Sequence, residues 1–110
     1  MTSVTFDFKA MRASADKAAD FLRTMANQDR LLLLCQLTEG EKCVGDLEEL
    51  TGILQPTLSQ QLGVLRAEGL VTTRREGKYI YYALGDPRVM AMLCSLHDLF
   101  CRGQKKVKGG

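Results

Sequence analysis

The most reactive side chains in this sequence belong to four cysteines, Cys35, Cys43, Cys94 and Cys101. A thiolate can act as a nucleophile, as a metal ligand or as one half of a disulfide. Cys94 and Cys101 would lie about 10.5 Å apart along one helix, whereas a disulfide needs Cα atoms within roughly 7 Å. A disulfide within the chain therefore has to join two different elements.

Each cysteine also has a plainer interpretation, because an isolated cysteine is most often a small buried hydrophobe. We expect this for Cys94, which lies in mid-helix among Met90, Met92 and Leu93. His97 precedes Cys101 by one helical turn, and an imidazolium there would favour the Cys101 thiolate. An ordinary role for His97 at an interface remains an equal alternative.

An enzyme with a cysteine nucleophile would need a general base and an oxyanion site in one pocket. The chain has one histidine, no glycine-rich phosphate loop and no paired carboxylates beside a cysteine. The sequence therefore argues against an enzyme, and no cofactor is expected.

A second group of polar residues lies between Ile53 and Leu84. Leu58, Leu62 and Leu65 recur at i, i+4 and i+7, which predicts a helix with one apolar face, and Pro56 suits its first turn. Two segments rich in β-branched and aromatic residues follow, with a turn at Gly77, and they predict a hairpin.

A polar helix followed by a cationic hairpin is typical of a winged helix-turn-helix, in which the helix reads base edges and the wing touches phosphates. The alternative is an ordinary α+β segment with a solvated hairpin. The predicted DNA contacts are Gln55, Thr57, Ser59, Gln60, Gln61 and Arg66 on the helix, and Arg74, Arg75 and Lys78 on the hairpin.

The remaining pattern places these residues in a mainly α domain with a small β-hairpin wing, in the order α-α-α-α-β-β-α. Asn27 and Asp86-Pro87 are helix-start signals. The predicted helices before the polar one are Ser14–Met25, Gln28–Leu37 and Val44–Leu50, and a last helix runs from Pro87 to about Arg102. We divide the chain into an N-terminal arm (1–13), a DNA-binding and dimerisation domain (14–102) and a basic flexible tail (103–110).

Charge and hydropathy support this organisation. The net charge is +2, but residues 1–50 carry a net −3, so positive charge gathers on the hairpin and the tail, as suits contact with a polyanion. No apolar run approaches the ~20 residues that span a bilayer. The first residues, MTSVTFDFKAMR, do not read as a signal peptide, so we expect a cytoplasmic protein.

The last helix carries two neighbouring apolar stripes, one of Val89, Leu93, Leu96 and Phe100, the other of Met90, Cys94, His97 and Cys101. A small domain cannot cover both, so we expect a homodimer through the first and last helices. A dimer would also pair two polar helices for a two-fold DNA operator. The alternative is that the helix packs only on the hairpin.

The segments QPTLSQQLGVLRAEGLV and RREGKYIYYAL resemble the ArsR-type family of winged-helix repressors, and the resemblance covers roughly residues 15 to 102. It implies a homodimeric repressor that binds double-stranded operator DNA. One departure is Leu54, where family members often have a serine; it blurs the start of the polar helix.

Within that family, LLLLCQL and LHDLFC are similar to a branch that senses sulfide and persulfide, the BigR, SqrR and HlyU group. The resemblance implies that Cys35 and Cys101 are the redox-sensing pair. The reduced dimer would hold its operator, and reactive sulfur species would link the two cysteines by a disulfide or polysulfide and release the DNA.

A metal-sensing repressor is the alternative. EKCVGDLEEL resembles the family's ELCVCDL site for arsenic and cadmium, with Cys43 as its first thiolate, but Gly45 stands at the second position. Zinc commonly takes four Cys or His ligands. The family's other metal site uses several histidines, and this chain has one. A site for As, Cd or Zn would therefore have to combine Cys43 with other cysteines.

Overall fold

The computed structural model describes residues 5–101, which form five helices and one antiparallel sheet with the strand order β1-β3-β2. This confirms a mainly α winged helix-turn-helix with a β-hairpin wing. In chain order the elements are α1 Phe8–Met25, α2 Gln28–Leu37, β1 Lys42–Cys43, α3 Val44–Thr51, α4 Thr57–Ala67, β2 Val71–Glu76, β3 Tyr79–Leu84 and α5 Pro87–Phe100.

The first helix begins at Phe8, six residues before the predicted start at Ser14. Asp7 caps it, since the Ala10 N–H donates to Asp7 Oδ1 at 3.0 Å. Part of the segment expected as an N-terminal arm is therefore helical. The predicted basic tail, 103–110, lies outside the described residues.

The other helix ends follow local capping chemistry. Asn27 Oδ1 accepts from the Arg30 N–H at 3.0 Å, and Asp86 Oδ1 accepts from the Arg88 N–H at 2.9 Å, as their sequence positions predict. Pro56 lies just before α4 rather than inside its first turn. The last helix ends at Phe100, earlier than predicted, and the Cys101 N–H donates to the His97 carbonyl at 2.8 Å.

The strand β1 was not predicted. Lys42 pairs with Tyr82 and Cys43 with Tyr81, so this short strand attaches the start of α3 to the wing. Two residues are too few to show alternation in the sequence, and only the neighbouring β3 makes them a strand.

The core lies where α2, α3, α4 and α5 meet the base of the sheet. The predicted stripe of Leu58, Leu62 and Leu65 is fully buried. It packs in one cluster with leucines of α2 and with Val89 and Leu93 of α5. Each such leucine contributes about 1.5–3 kcal/mol on burial. The core thus fixes which face of α4 remains outside.

A second apolar surface stays uncovered in the single chain. Phe8, Met11 and Leu22 on α1 and Met90 on α5 are exposed. A groove of about 560 Å³ runs between α1 and α5. Cys94 is also exposed, so its expected burial is wrong for the single chain. No helix of residues 5–101 combines the length and hydropathy that crossing a bilayer requires.

Candidate nucleic-acid interface and thiol pocket

The outer face of α4 is polar because its leucines face the core. Ser59, Gln60 and Arg66 are exposed, and Thr57 is half-buried. Gln55 precedes the helix and caps it, since the Ser59 N–H donates to Gln55 Oε1 at 3.1 Å. This hydrogen bond satisfies one N–H of the first turn of α4, and the helix presents short polar side chains on its accessible face.

Gln61 has a role within the protein that the sequence did not predict. It is half-buried, and its Oε1 accepts from Arg30 Nη1 at 2.8 Å. Arg30 also donates through Nε to the Thr24 carbonyl at 2.6 Å. One guanidinium thus joins α4 to the α1–α2 corner, and Gln61 fixes the orientation of the polar helix.

Arg74 is likewise occupied by contacts within the chain. Its Nη2 lies 2.7 Å and its Nε 2.8 Å from the two carboxylate oxygens of Glu41, while Nη1 lies 2.8 Å from Glu76 Oε1. The guanidinium also lies over the Tyr81 ring, 4.9 Å from its centroid. These hydrogen bonds lower the pKa of Glu41 and raise that of Arg74. Arg74 therefore fastens the wing to the segment after α2.

Two cations remain available at the end of the wing. Arg75 and Lys78 are exposed and form no ion pair within residues 5–101. Lys78 Nζ lies 5.8 Å from the centroid of the Tyr79 ring. Cations of this kind bind DNA phosphates without reading sequence.

A second candidate site is a pocket between α2 and the end of α5. Cys35 and Cys101 line one pocket of about 270 Å³ together with His97. The remaining lining residues are apolar: Leu31, Leu93, Leu96 and Phe100. The structure thus brings together two predicted sensing residues that are far apart in the sequence.

The pocket alters the chemistry of Cys35. Partial burial is the larger cause that raises the pKa of the Cys35 thiol, and the negative charge of a nearby Cys101 thiolate raises it further. At a given pH, Cys35 therefore carries less thiolate than an unperturbed cysteine.

The other two cysteines lie apart from this pocket. Cys43 is half-buried in β1 opposite Tyr81, and Cys94 is exposed on α5. Within residues 5–101, no three His, Cys, Asp or Glu side chains lie close enough together to hold a metal ion. The metal alternative based on Cys43 therefore gains no support from a single chain.

The helix α4 is polar and exposed, it is attached to the α1–α2 corner, and a cationic hairpin lies beside it. This arrangement is that of a winged helix-turn-helix regulator of transcription. Residues 27–73 match the model of the family described as bacterial regulatory protein, arsR family. The biofilm growth-associated repressor of Xylella fastidiosa is 46% identical over 96 residues, covering 87% of this chain and 84% of the relative.

Solved structures agree. The transcriptional repressor BigR from Xylella fastidiosa has a TM-score of 0.85 at 45% identity, covering 87% of this chain and 98% of BigR. A homodimeric winged helix-turn-helix DNA-binding domain from Mycobacterium bovis has a TM-score of 0.71 at 28% identity, covering 96% and 94%. The chain belongs to the ArsR family of bacterial regulatory proteins. It is a transcriptional repressor and not an enzyme, as the sequence predicts.

Proposed function

We propose that this chain, as a homodimer, binds operator DNA when reduced and releases it when reactive sulfur species link Cys35 to Cys101 by a disulfide or polysulfide. The observation that carries the proposal is the pocket shared by the two thiols. They lie on different helices, so a covalent link would restrict how those helices move. We expect this to happen in the cytoplasm, where DNA is present and thiols are kept reduced.

Two observations support the homodimer. Met11 and Leu22 of α1 are exposed and line the groove between α1 and α5. Phe8 of α1 and Met90 of α5 add exposed apolar surface on the same two helices. Such patches are rare on monomers and common at interfaces. The Mycobacterium bovis relative is homodimeric. A two-fold dimer would present two copies of α4 to half-sites about 34 Å apart.

The DNA contacts divide by chemistry. Ser59 and Gln60 are exposed on α4 and can hydrogen-bond to base edges. At the helix start Thr57 is half-buried, and Gln55 can offer its amide N–H groups while its Oε1 accepts from the Ser59 N–H. Arg66, Arg75 and Lys78 supply charge for phosphates. We assign positioning roles to Gln61 and Arg74, because each is held by a partner within the protein.

The link would act through the position of α2. This helix packs against α3 and α4, and Arg30 near its start holds Gln61 of α4. The last helix belongs to the proposed dimer surface. A bond from Cys35 to Cys101 would therefore tie the DNA-reading part to the dimer helix. A coupling of about 1–3 kcal/mol would change DNA affinity roughly 5–150-fold.

The chemistry balances with a persulfide as the oxidant. Because the raised pKa of Cys35 disfavours its thiolate, we assign the first attack to Cys101. The Cys101 thiolate attacks the outer sulfur of R–S–SH, forms Cys101–S–SH and releases R–SH. The Cys35 thiolate then attacks the Cys101 sulfur, forms the disulfide and releases HS⁻.

The test combines mass spectrometry with operator binding. Treatment with glutathione persulfide should produce a Cys35–Cys101 link and release DNA. Cys35→Ser and Cys101→Ser should each bind DNA and fail to respond. Cys94→Ser is the matched control, since Cys94 is exposed on the same helix as the pocket's lining residues and should respond like the wild type.

A different result would overturn this function. In that result, both serine variants still release DNA on sulfur treatment, and equimolar zinc, cadmium or arsenite releases DNA from the wild type. Such a pattern would favour the metal-sensing alternative that includes Cys43.

A further inference from the structure

The pocket between Cys35 and Cys101 has a chemical character that limits what can react there. Four of its lining side chains, Leu31, Leu93, Leu96 and Phe100, are hydrocarbon. His97 is the one lining residue besides the thiols with a polar group, and no lysine or arginine is among the lining residues described.

This character disfavours a charged reactant. Glutathione derivatives carry carboxylates, and a carboxylate that enters an apolar pocket loses hydration and needs a cation in return. Within residues 5–101, none of the residues that line the pocket is Lys or Arg. A small uncharged molecule has no such cost, and its alkyl groups gain contact with leucine and phenylalanine side chains.

We propose that the pocket binds small, uncharged organic polysulfides, such as dialkyl trisulfides, and that these are the preferred inducers. The inference rests on the proposed function, because it names the substrate class of the same thiol pair. It concerns recognition before the reaction rather than the reaction itself.

The reaction with a dialkyl trisulfide needs no further oxidant. The first cysteine thiolate attacks a terminal sulfur of R–S–S–S–R, forms Cys–S–S–R and releases R–S–S⁻. The second thiolate attacks the cysteine sulfur, forms the Cys35–Cys101 disulfide and releases R–S⁻. Two thiols lose two electrons and two protons, and the trisulfide is reduced to one thiol and one persulfide.

The experiment compares two reagents with the same reacting group. Dimethyl trisulfide and glutathione trisulfide are added separately to the full chain, and the rate of Cys35–Cys101 linkage is followed by mass spectrometry. Each rate is divided by the rate of the same reagent with N-acetylcysteine amide, which removes differences in intrinsic reactivity. The normalised rate should be on the order of tenfold higher for dimethyl trisulfide, equivalent to about 1.4 kcal/mol.

Two neighbouring residues provide a matched pair of variants. Phe100 lines the pocket and Leu99 does not, yet they are similarly exposed, at 72% and 75%. Phe100→Lys places a cation at the pocket and should remove most of the preference by accelerating glutathione trisulfide. Leu99→Lys adds the same charge outside the pocket and should keep the preference.

The outcomes separate the two proposals. Equal normalised rates for the wild type, with the link formed by both reagents, would overturn this inference and leave the proposed function intact. A preference that Phe100→Lys and Leu99→Lys change equally would also overturn it. Failure of both trisulfides to form a link that glutathione persulfide still forms would overturn this inference alone. Failure of glutathione persulfide as well would overturn the proposed function and this inference with it.

Discussion

Cys35 on α2 and Cys101 at the end of α5 line the same pocket, although they lie 66 positions apart in a chain of 110 residues. The proximity of Cys101 also contributes to the raised pKa of Cys35. Because α2 supports the polar helix and α5 flanks the exposed apolar groove, a bond between these two residues would connect both halves of the repressor.

Alkylation of Cys35 should show its raised pKa. A raised pKa means less thiolate at neutral pH, so the alkylation rate should keep rising with pH beyond the ordinary thiol range of about 8.5. In Cys101→Ser the midpoint should fall, since the repelling thiolate is gone. The measurement is the pH profile of iodoacetamide labelling at Cys35, read by mass spectrometry. A midpoint at or below that of free cysteine would contradict the assignment.

The recognition helix should control sequence discrimination. Gln60→Ala removes a side chain that can pair with a base edge, and it should lower the preference for operator over a mismatched site by about 1–3 kcal/mol. Binding to the two DNAs can be compared by fluorescence anisotropy. Unchanged discrimination in Gln60→Ala and in Ser59→Ala would show that the outer face of α4 does not read bases.

The wing should act without regard to sequence. Arg75→Ala and Lys78→Ala should each weaken binding to every DNA and reduce the salt slope by about one. Lys9→Ala is the control, because it removes an exposed cation from α1 rather than from the wing. The observable is affinity as a function of salt concentration. A slope that falls only in the α1 control would reverse the assignment.

Arg74 should differ from Arg75 although it is adjacent. Its charge is already paired with Glu41 and Glu76, so Arg74→Gln should change the salt slope less than Arg75→Ala. Arg74→Gln and Glu41→Gln should each weaken operator binding by a similar few-fold factor. The double variant should bind little more weakly than either single variant, because both remove the same ion pair. The lowered pKa of Glu41 means that the pairing persists above the ordinary Glu pKa and is lost as pH falls through the lowered value. Independent, additive effects would refute the pairing role.

Gln61 should contribute to stability. Gln61→Ala leaves the half-buried Arg30 guanidinium without one acceptor, which costs about 1–3 kcal/mol and should lower the melting temperature. Gln60→Ala is the matched control, because its side chain is exposed and should change stability by at most about 0.5 kcal/mol. Equal stability of the two variants would argue against the positioning role.

The sequence by itself determined the local structure. The leucine spacing of α4, the caps at Asn27 and Asp86 and the turn at Gly77 depend on residues a few positions apart, and the structure confirms them. It also singled out Ser59, Gln60, Arg75 and Lys78 as polar or cationic, and all four are exposed.

Tertiary structure alone decided which polar residues are already engaged. Arg74 meets Glu41 across 33 positions and Arg30 meets Gln61 across 31, so neither pairing leaves a periodic signal in the sequence. The strand β1 exists only because β3 lies beside it. The family resemblance pointed to Cys35 and Cys101 as a pair. Only the tertiary structure places both at one pocket, because the position of α5 relative to α2 depends on the whole core.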